Sequence, residues 1–177
     1  MTSTTSTCAD KQKRLDAMPK ATATLRLYDD PAVRDRYQAA KKAAERAAEY
    51  LASLPKDADK DARALVQKQV KEANTTLEAA TQERDAHSEV LTFQALERGH
   101  LEALVAKHPA TEEDEERGTE FHHDTFAPAL IAAASVDGMP LEYAAQALKS
   151  WSLQDSNDLW TTAWGVQRQK RTDLGKD

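Results

Sequence analysis

The segment PAVRDRYQAAKKAAERAAEYLASL, residues 31–54, decides the fold of this chain. Its apolar positions recur at steps of four and three, which is the rhythm of a coiled-coil seam. Asp30 precedes the segment as a cap candidate, and Pro31 stands at the first helical position, where proline is favoured. The pattern predicts a helix over residues 31–54. Its seam positions are Val33, Tyr37, Ala40, Ala44, Ala47, Leu51 and Leu54.

The same rhythm returns after a short break. Residues 55–59, PKDAD, predict a turn, and a second helix is predicted over residues 60–86. The second seam consists of Val66, Val70, Ala73, Leu77, Ala80, Arg84 and His87. The short connection makes the two helices antiparallel neighbours. Because both seams are narrow and rich in alanine, the hairpin buries little apolar area and needs a base or a partner.

Two segments with strand periodicity flank the hairpin, at residues 21–28 and 88–96. The positions that share a face are Ala23, Leu25 and Leu27 in the first segment and Leu91, Phe93 and Ala95 in the second. A helical hairpin returns its ends to one place, so we expect these strands to pair antiparallel at its base. Residues 21–96 are therefore predicted to form a strand, a coiled-coil hairpin and a strand. Residues 1–20 are polar and aperiodic, and are predicted to be a disordered leader.

The second half of the chain, residues 97–168, predicts a small bundle of short helices. The helices are expected at residues 98–108, 125–136, 141–151 and 154–167, with an acidic loop at 110–120 and a frayed tail at 169–177. Ser152 and Asp155 fit a capping box in which aspartate replaces glutamate. The fold class is thus mainly α, with two short β-strands at the base of a long hairpin.

Composition and charge limit the classes of partner and the compartment that we expect for the protein. The 177 residues carry a net charge of −6, with 31% charged and 6% aromatic residues. This balance argues against nucleic acid or anionic membrane as a partner of the whole surface. Cys8 is the single cysteine and cannot form an intrachain disulfide, which favours a reducing compartment. The chain has no long apolar run, and we expect a soluble protein of the cytoplasm.

His122, His123 and Asp124 are the first candidates for chemistry. Adjacent histidines on an extended segment point to opposite sides, whereas a helical metal site places two ligands at i and i+4. Asp124 or Thr125 is instead expected to cap the next helix. The acidic run at residues 112–116 lacks the glycine turn of a calcium loop. No catalytic or phosphate-binding motif is present, so a non-enzyme without metal or cofactor is predicted; the alternative is a metal-dependent enzyme centred on His122, His123 and Asp124.

Three tryptophans form another candidate. Trp160 and Trp164 stand at i and i+4 and share a helix face, and Trp151 precedes that helix. They predict either a clamp that holds the last helix in the core or an anchor for a partner, because tryptophan is enriched at interfaces.

Two blocks of the second half resemble a known protein family. They are LTFQALERGHLEALVAKHPAT and FHHDTFAPALIAAASVDGMPLEYAAQALKSWSLQDSNDLW. Their landmarks are Thr92-Phe93, His108-Pro109, Phe126, Pro128, the apolar run at residues 129–133, and Trp151-Ser152. Together they resemble tail assembly chaperones of phages and prophages from actinobacterial hosts. The chain departs from that pattern at Ala110, where a second proline is frequent, and at His122 and His123, where Asn- or Asp-type residues are common.

The resemblance implies a non-catalytic adaptor that binds the tape measure protein and recruits tail tube subunits. It implies that the protein acts in the host cytoplasm, is absent from the mature virion, and binds neither nucleic acid nor a membrane. The residues expected to contact partners are Phe126, Leu130, Trp151, Trp160 and Trp164. The alternative is a structural or scaffold component of a phage particle that forms homo-oligomers through its hairpin.

Overall fold

The computed structural model describes residues 7–55 and 59–170. Within these ranges the chain has eight α-helices and one two-stranded antiparallel sheet, and this confirms the mainly helical fold class. The helices are α1 (Cys8–Asp16), α2 (Pro31–Ser53), α3 (Lys60–Ala86), α4 (Arg98–Ala106), α5 (Glu112–Glu116), α6 (His123–Ala134), α7 (Leu141–Ser150) and α8 (Leu153–Gly165). The strands are β1 (Thr22–Tyr28) and β2 (Ser88–Gln94), and a 3-10 turn, Val166–Arg168, follows α8.

The chain divides into two compact units. The hairpin unit is Arg26–Val90, and the helical unit joins the chain up to Leu25 with the chain from Leu91 onward. Most of β2 therefore belongs with the helices that follow it, whereas the sequence placed the division after Leu96. The reason is Phe93, which is fully buried among the helices of the second half.

The hairpin unit has the predicted seam. The buried seam positions are Val33, Ala40, Ala44, Val66 and Ala80. Each helix begins at an aspartate: Asp30 accepts a hydrogen bond from the Ala32 amide at 2.8 Å, and Asp59 accepts one from the Ala62 amide at 3.3 Å. Of the predicted turn at residues 55–59, residues 56–58 lie outside the described part of the chain.

Polar side chains also join α2 to α3. Arg36 and Glu83 form an ion pair at 2.6 Å, and the Arg84 guanidinium lies 4.4 Å from the centre of the Tyr37 ring. His87, which the periodicity placed on the seam, is instead exposed at the end of α3. Its Nδ1 lies 3.1 Å from the Asp29 carboxylate, because the helix ends there and the chain turns into β2.

The sheet register is fixed at both ends of the strand pair. The Ala95 amide donates to the Ala21 carbonyl at 2.9 Å, and the Asp29 amide donates to the His87 carbonyl at 3.2 Å. The face predicted to be apolar packs against the core, and Phe93 has no exposed surface. Alternation was thus a sufficient signal for both strands.

The helical unit closes around β2. Its buried core comprises Phe93, Ile131, Ala134, Met139, Ala144, Ala147, Leu159, Ala163 and Val166. Thr92 links the strand to the turn after α6, because its carbonyl accepts from the Val136 amide at 2.8 Å and its amide donates to Asp137 at 2.7 Å. Gly138 has φ of 74° in this turn, a conformation that favours glycine.

Two predictions about local structure are wrong. Residues 8–16 of the expected disordered leader form α1, because Thr7 and Asp10 make a reciprocal capping box at its start; residues 1–6 lie outside the described ranges. Helix α6 begins at His123 with His122 as N-cap, and neither Asp124 nor Thr125 caps it. The amide of Phe126 already bonds the His122 carbonyl at 2.9 Å, which starts the helix two residues earlier than expected.

Three smaller outcomes concern the second half. A short helix, α5, occupies part of the predicted acidic loop. The Ser152 hydroxyl caps α8 by accepting a hydrogen bond from the Asp155 amide, and it donates to the Asp155 carboxylate at 2.6 Å. In a full capping box that carboxylate would instead accept from the Ser152 backbone amide. The predicted tail lies outside the described residues from 171 onward. None of the helices in the described ranges combines the length and the apolar character that a membrane crossing requires.

Candidate protein-binding groove

A groove lies among α6, α7 and α8 in the helical unit. We call it the α6–α8 groove; its volume is about 580 Å³. The residues that line it are His123, Asp124, Thr125, Ala127, Pro128, Ala145, Leu148, Lys149, Leu153, Ser156, Asn157 and Trp160. Aliphatic and aromatic groups from three helices therefore face one open cleft.

Small side chains create the space. Ala127 and Pro128 stand in α6 and Ala145 stands in α7, so the two helices present little side-chain bulk where they border the groove. Larger apolar groups stand beside them. Leu153, the first residue of α8, is 90% exposed, and Trp160 is half-buried two turns later. An apolar side chain from another molecule would remove Leu153 from water, which is favourable.

Polar groups in the groove retain hydrogen-bonding capacity. Pro128 has no amide hydrogen, so the Asp124 carbonyl lacks its usual i+4 donor. The Asp124 side chain is 87% exposed, and its carboxylate lies 4.0 Å from His123 Nδ1. These groups can orient a partner once apolar contacts hold it in place.

An aromatic cluster supports one side of the groove. Phe126 lies at its centre, fully buried, with the Phe121 ring 4.2 Å away between centroids. Trp160 and Trp164 stack on each other at 5.6 Å with an interplanar angle of 8°, and both meet Phe126 edge to face. The His123 ring meets Trp160 at 4.8 Å. Trp160 thus joins the interior of the cluster to the lining of the groove.

The two histidines have separate structural contacts. His122 Nδ1 lies 2.8 Å from Asp114 Oδ2, which also accepts hydrogen bonds from the Thr111 hydroxyl at 2.7 Å and the Thr111 amide at 3.0 Å. The Thr111 side chain, the Thr111 backbone and then His122 lower the pKa of Asp114 to about 2. His123 instead packs on Trp160. In the described ranges, no three His, Cys, Asp or Glu side chains are placed to hold a metal ion.

The five residues predicted to contact a partner lie in different environments in the structure. Trp160 lines the groove. Phe126 and Leu130 are fully buried, because the face of α6 that carries both packs inside the unit, and neither lines the groove; their contact with a partner stays a prediction. Trp164 is half-buried in the aromatic cluster, and Trp151 packs against the core, and neither lines the groove.

The groove itself was not predicted from the sequence. Leu153 carried one signal, because it follows the capping Ser152 and stands two helical turns before Trp160, on the same face of α8. Ala127-Pro128 carried another, since a proline inside a helix and a neighbouring alanine leave room beside the backbone. Neither signal indicates which other helices border the groove, so these residues are seen to lie together only in the tertiary structure.

Charge is distributed unevenly along the chain. Residues 91–170 carry thirteen acidic and six basic side chains, whereas Arg26–Val90 carries thirteen and twelve. The net charge is therefore −7 over residues 91–170 and −1 over Arg26–Val90, because the first segment has fewer basic residues.

No family model matches the chain, and no curated protein or solved structure shows significant similarity to it. The groove and its surroundings are consequently the observations from which a function is inferred.

Proposed function

We propose that this protein is a phage tail assembly chaperone. In this proposal it is a non-catalytic adaptor that acts in the host cytoplasm, binds the tape measure protein, recruits tail tube subunits and is absent from the mature virion. The observation that carries the proposal is the α6–α8 groove, an open cleft with an apolar floor and an exposed Leu153 at its edge.

The form of the groove suits a helical segment. A partner helix that rests in a groove inserts one or two apolar side chains and leaves its polar face in water. A volume of about 580 Å³ accommodates such side chains but not a whole folded domain. A tape measure protein, with long apolar helices, is the kind of partner that needs such cover before a tail tube encloses it.

The resemblance and the groove involve the same segments. The Phe126 to Pro128 landmark lies in the first turns of α6, and Trp151-Ser152 leads into α8. Ala127, Pro128 and Leu153 therefore belong to the blocks that resemble tail assembly chaperones and also line the groove. This coincidence supports a protein-binding role over a purely structural role for these blocks.

The test is capture of the tape measure protein encoded by the same phage or prophage, co-expressed with the full chain. Leu153→Asp places a charge at the groove, and the exposed position leaves folding intact. Leu141→Asp is the matched control, because Leu141 is also the exposed first residue of a helix but does not line the groove. We expect Leu153→Asp to lose capture and Leu141→Asp to keep it.

The expected size of the effect follows from burial. A leucine that becomes buried contributes about 1.5–3 kcal/mol, so its loss lowers affinity roughly ten-fold to a hundred-fold. Trp160→Ala is expected to lose capture as well, with helicity by circular dichroism as its control. Failure of the full chain to capture either tape measure or tube protein would refute the proposal, as would equal loss in both aspartate variants.

A second candidate is a structural or scaffold component that oligomerises through the hairpin unit. Tyr50 and Leu65 favour it, because both are large, apolar and exposed on α2 and α3. Mass spectrometry of purified particles separates the two candidates. A structural component is present at fixed copy number, whereas a chaperone is absent.

A further inference from the structure

One face of α8 forms a row of side chains along the α6–α8 groove. The members of this row stand at i, i+3, i+4 and i+7, and are Leu153, Ser156, Asn157 and Trp160. The row is about 10 Å long, at about 1.5 Å per residue along the helix axis. Leu159 is buried in the core on another side of α8, so the row faces the open cleft.

The row is apolar at both ends and polar in the middle. Leu153 is 90% exposed and Trp160 is half-buried, so both present apolar surface to the groove. Between them, the Ser156 hydroxyl donates to the Ala147 carbonyl at 3.5 Å. The Asn157 side chain is exposed and makes no hydrogen bond to another residue in the described ranges. Its carboxamide is therefore the polar group of the row that is open to a partner.

A partner helix that packs along α8 meets this row position by position. Two helices that cross at about 20° have the same rise per residue and stay in contact over two turns or more. The partner therefore places one apolar side chain on Leu153 and another, at i+7, on Trp160. Its side chains at i+3 and i+4 then lie over Asn157, and this contact removes the Asn157 carboxamide from water.

Charged groups of both signs line the groove. Asp124 of α6 is exposed, and Lys149 of α7 is exposed and forms no ion pair within the described part of the chain. Ion pairs between exposed side chains contribute little to affinity, because water and salt screen them. Lys149 therefore favours a partner carboxylate and influences the orientation of the helix more than its affinity. Selectivity requires a polar group that becomes buried, and Asn157 is that group.

A buried carboxamide discriminates strongly between partner side chains. It has two N–H donors and an acceptor oxygen, and a partner glutamine or asparagine satisfies both kinds of group. An apolar side chain of the same size leaves them unpaired, which weakens binding by about ten-fold or more. A single polar residue in an apolar helical seam selects the partner and the register of coiled coils by the same means.

We infer that Asn157 determines which helix the α6–α8 groove accepts. The partner is an amphipathic helix with apolar side chains at i and i+7 and a carboxamide side chain at i+3 or i+4. The inference rests on the proposed function, because it takes the groove to hold a partner helix. It adds the chemistry by which that helix is selected.

Two synthetic peptides that differ in one kind of side chain provide the test. Both are alanine-based helices of about 15 residues, long enough for partial helicity in water, with leucine at i and i+7. One has glutamine at i+3 and i+4, and the other has methionine there, which is of similar length but lacks the amide. Each peptide is titrated into the isotope-labelled full chain while the NMR signal of the Trp160 indole N–H is followed. We expect the glutamine peptide to bind about ten-fold more tightly.

Variants of α8 assign the preference to Asn157. Asn157→Leu is expected to reverse the preference, so that the methionine peptide binds more tightly, and Asn157→Ala is expected to abolish it. Gln154→Leu is the matched control, because Gln154 is an exposed amide of the same helix that does not line the groove. This control is expected to keep the preference for glutamine. Circular dichroism verifies that each variant keeps its helicity.

Three results of the titration overturn the inference. They are equal affinity for the two peptides, a preference that persists in Asn157→Leu, and the absence of a Trp160 shift with either peptide. A Trp160 signal that changes when the chain alone is diluted places a second copy in the groove, which also overturns the inference. Capture of the tape measure protein is measured separately. Capture without the peptide preference refutes this inference alone, whereas the preference without capture refutes only the proposed function.

Discussion

Replacement of Phe126 by alanine tests the packing on which the groove depends. Phe126 is fully buried and contacts the rings of Phe121, Trp160 and Trp164. Truncation removes the central ring of this cluster and leaves a cavity, because the surrounding rings belong to different elements and can close it only in part. The variant is therefore expected to lose stability in the helical unit.

The magnitude follows from burial and from ring contacts. A buried phenylalanine replaced by alanine costs about 3–5 kcal/mol, which includes the cavity left behind. Each favourable aromatic pair contributes about 0.5–1.5 kcal/mol beyond its buried area, so the contacts of Phe126 with Phe121, Trp160 and Trp164 favour the upper part of the range for truncation. Domains of this size are stable by about 5–15 kcal/mol, so the variant should remain folded but be far less stable.

Urea denaturation of the full chain provides the measurement. Tryptophan fluorescence reports on the cluster, and near-ultraviolet circular dichroism reports on the stacked pair of Trp160 and Trp164. Leu153→Ala is the control, since substitution of an exposed residue is expected to change stability by less than about 0.5 kcal/mol. Phe121→Ala should cost less than Phe126→Ala because Phe121 is only half-buried. A loss below about 1 kcal/mol for Phe126→Ala would refute the described packing.

Three further predictions concern local contacts. The pKa of Asp114 is about 2 in the fold against an ordinary 3.8. The Asp114 carboxylate therefore stabilises the folded state fully above pH 3.8, and this contribution to the free energy of unfolding is lost as the pH falls toward 2. Asp114→Asn should flatten the pH dependence of the unfolding free energy between these values; an unchanged slope would contradict this. Gly138→Ala should cost about 1–2 kcal/mol, because alanine disfavours the φ of 74°, and Gly138→Asn should cost less; thermal unfolding compares the two. Ser152→Ala removes the cap of α8 and should cost about 1 kcal/mol, whereas Ser152→Asp should retain stability in the same melt.

The hairpin unit could be predicted from the sequence almost residue by residue. Its helices were predicted over residues 31–54 and 60–86, and the structure has Pro31–Ser53 and Lys60–Ala86. The reason is that every determinant is local: the seam repeats at helical spacing, Asp30 and Asp59 cap the starts, and proline marks the breaks. Alternation located both strands for the same reason.

The groove could not be predicted in the same way. Helical spacing indicates which side chains of α6 share a face, but it does not indicate which face another helix covers. Phe126 and Leu130 were expected to contact a partner, and both are instead buried by neighbouring elements of the unit. The start of α6 at His123 was missed because its N-cap, His122, makes no side-chain cap; its ring instead lies beside Asp114, eight residues earlier.

The hairpin unit is an insertion within the helical unit, since the chain leaves the latter at Leu25 and re-enters it at Leu91. During folding, the contacts of α2 with α3 form between segments that are close in the chain and are therefore expected to form quickly. Once formed, they hold β1 and β2 together, so the sheet avoids the entropic cost of closing a long flexible loop. Removal of equal numbers of turns from both arms would then leave the register of the strands unchanged. The length of the hairpin is thus free to vary without altering the groove.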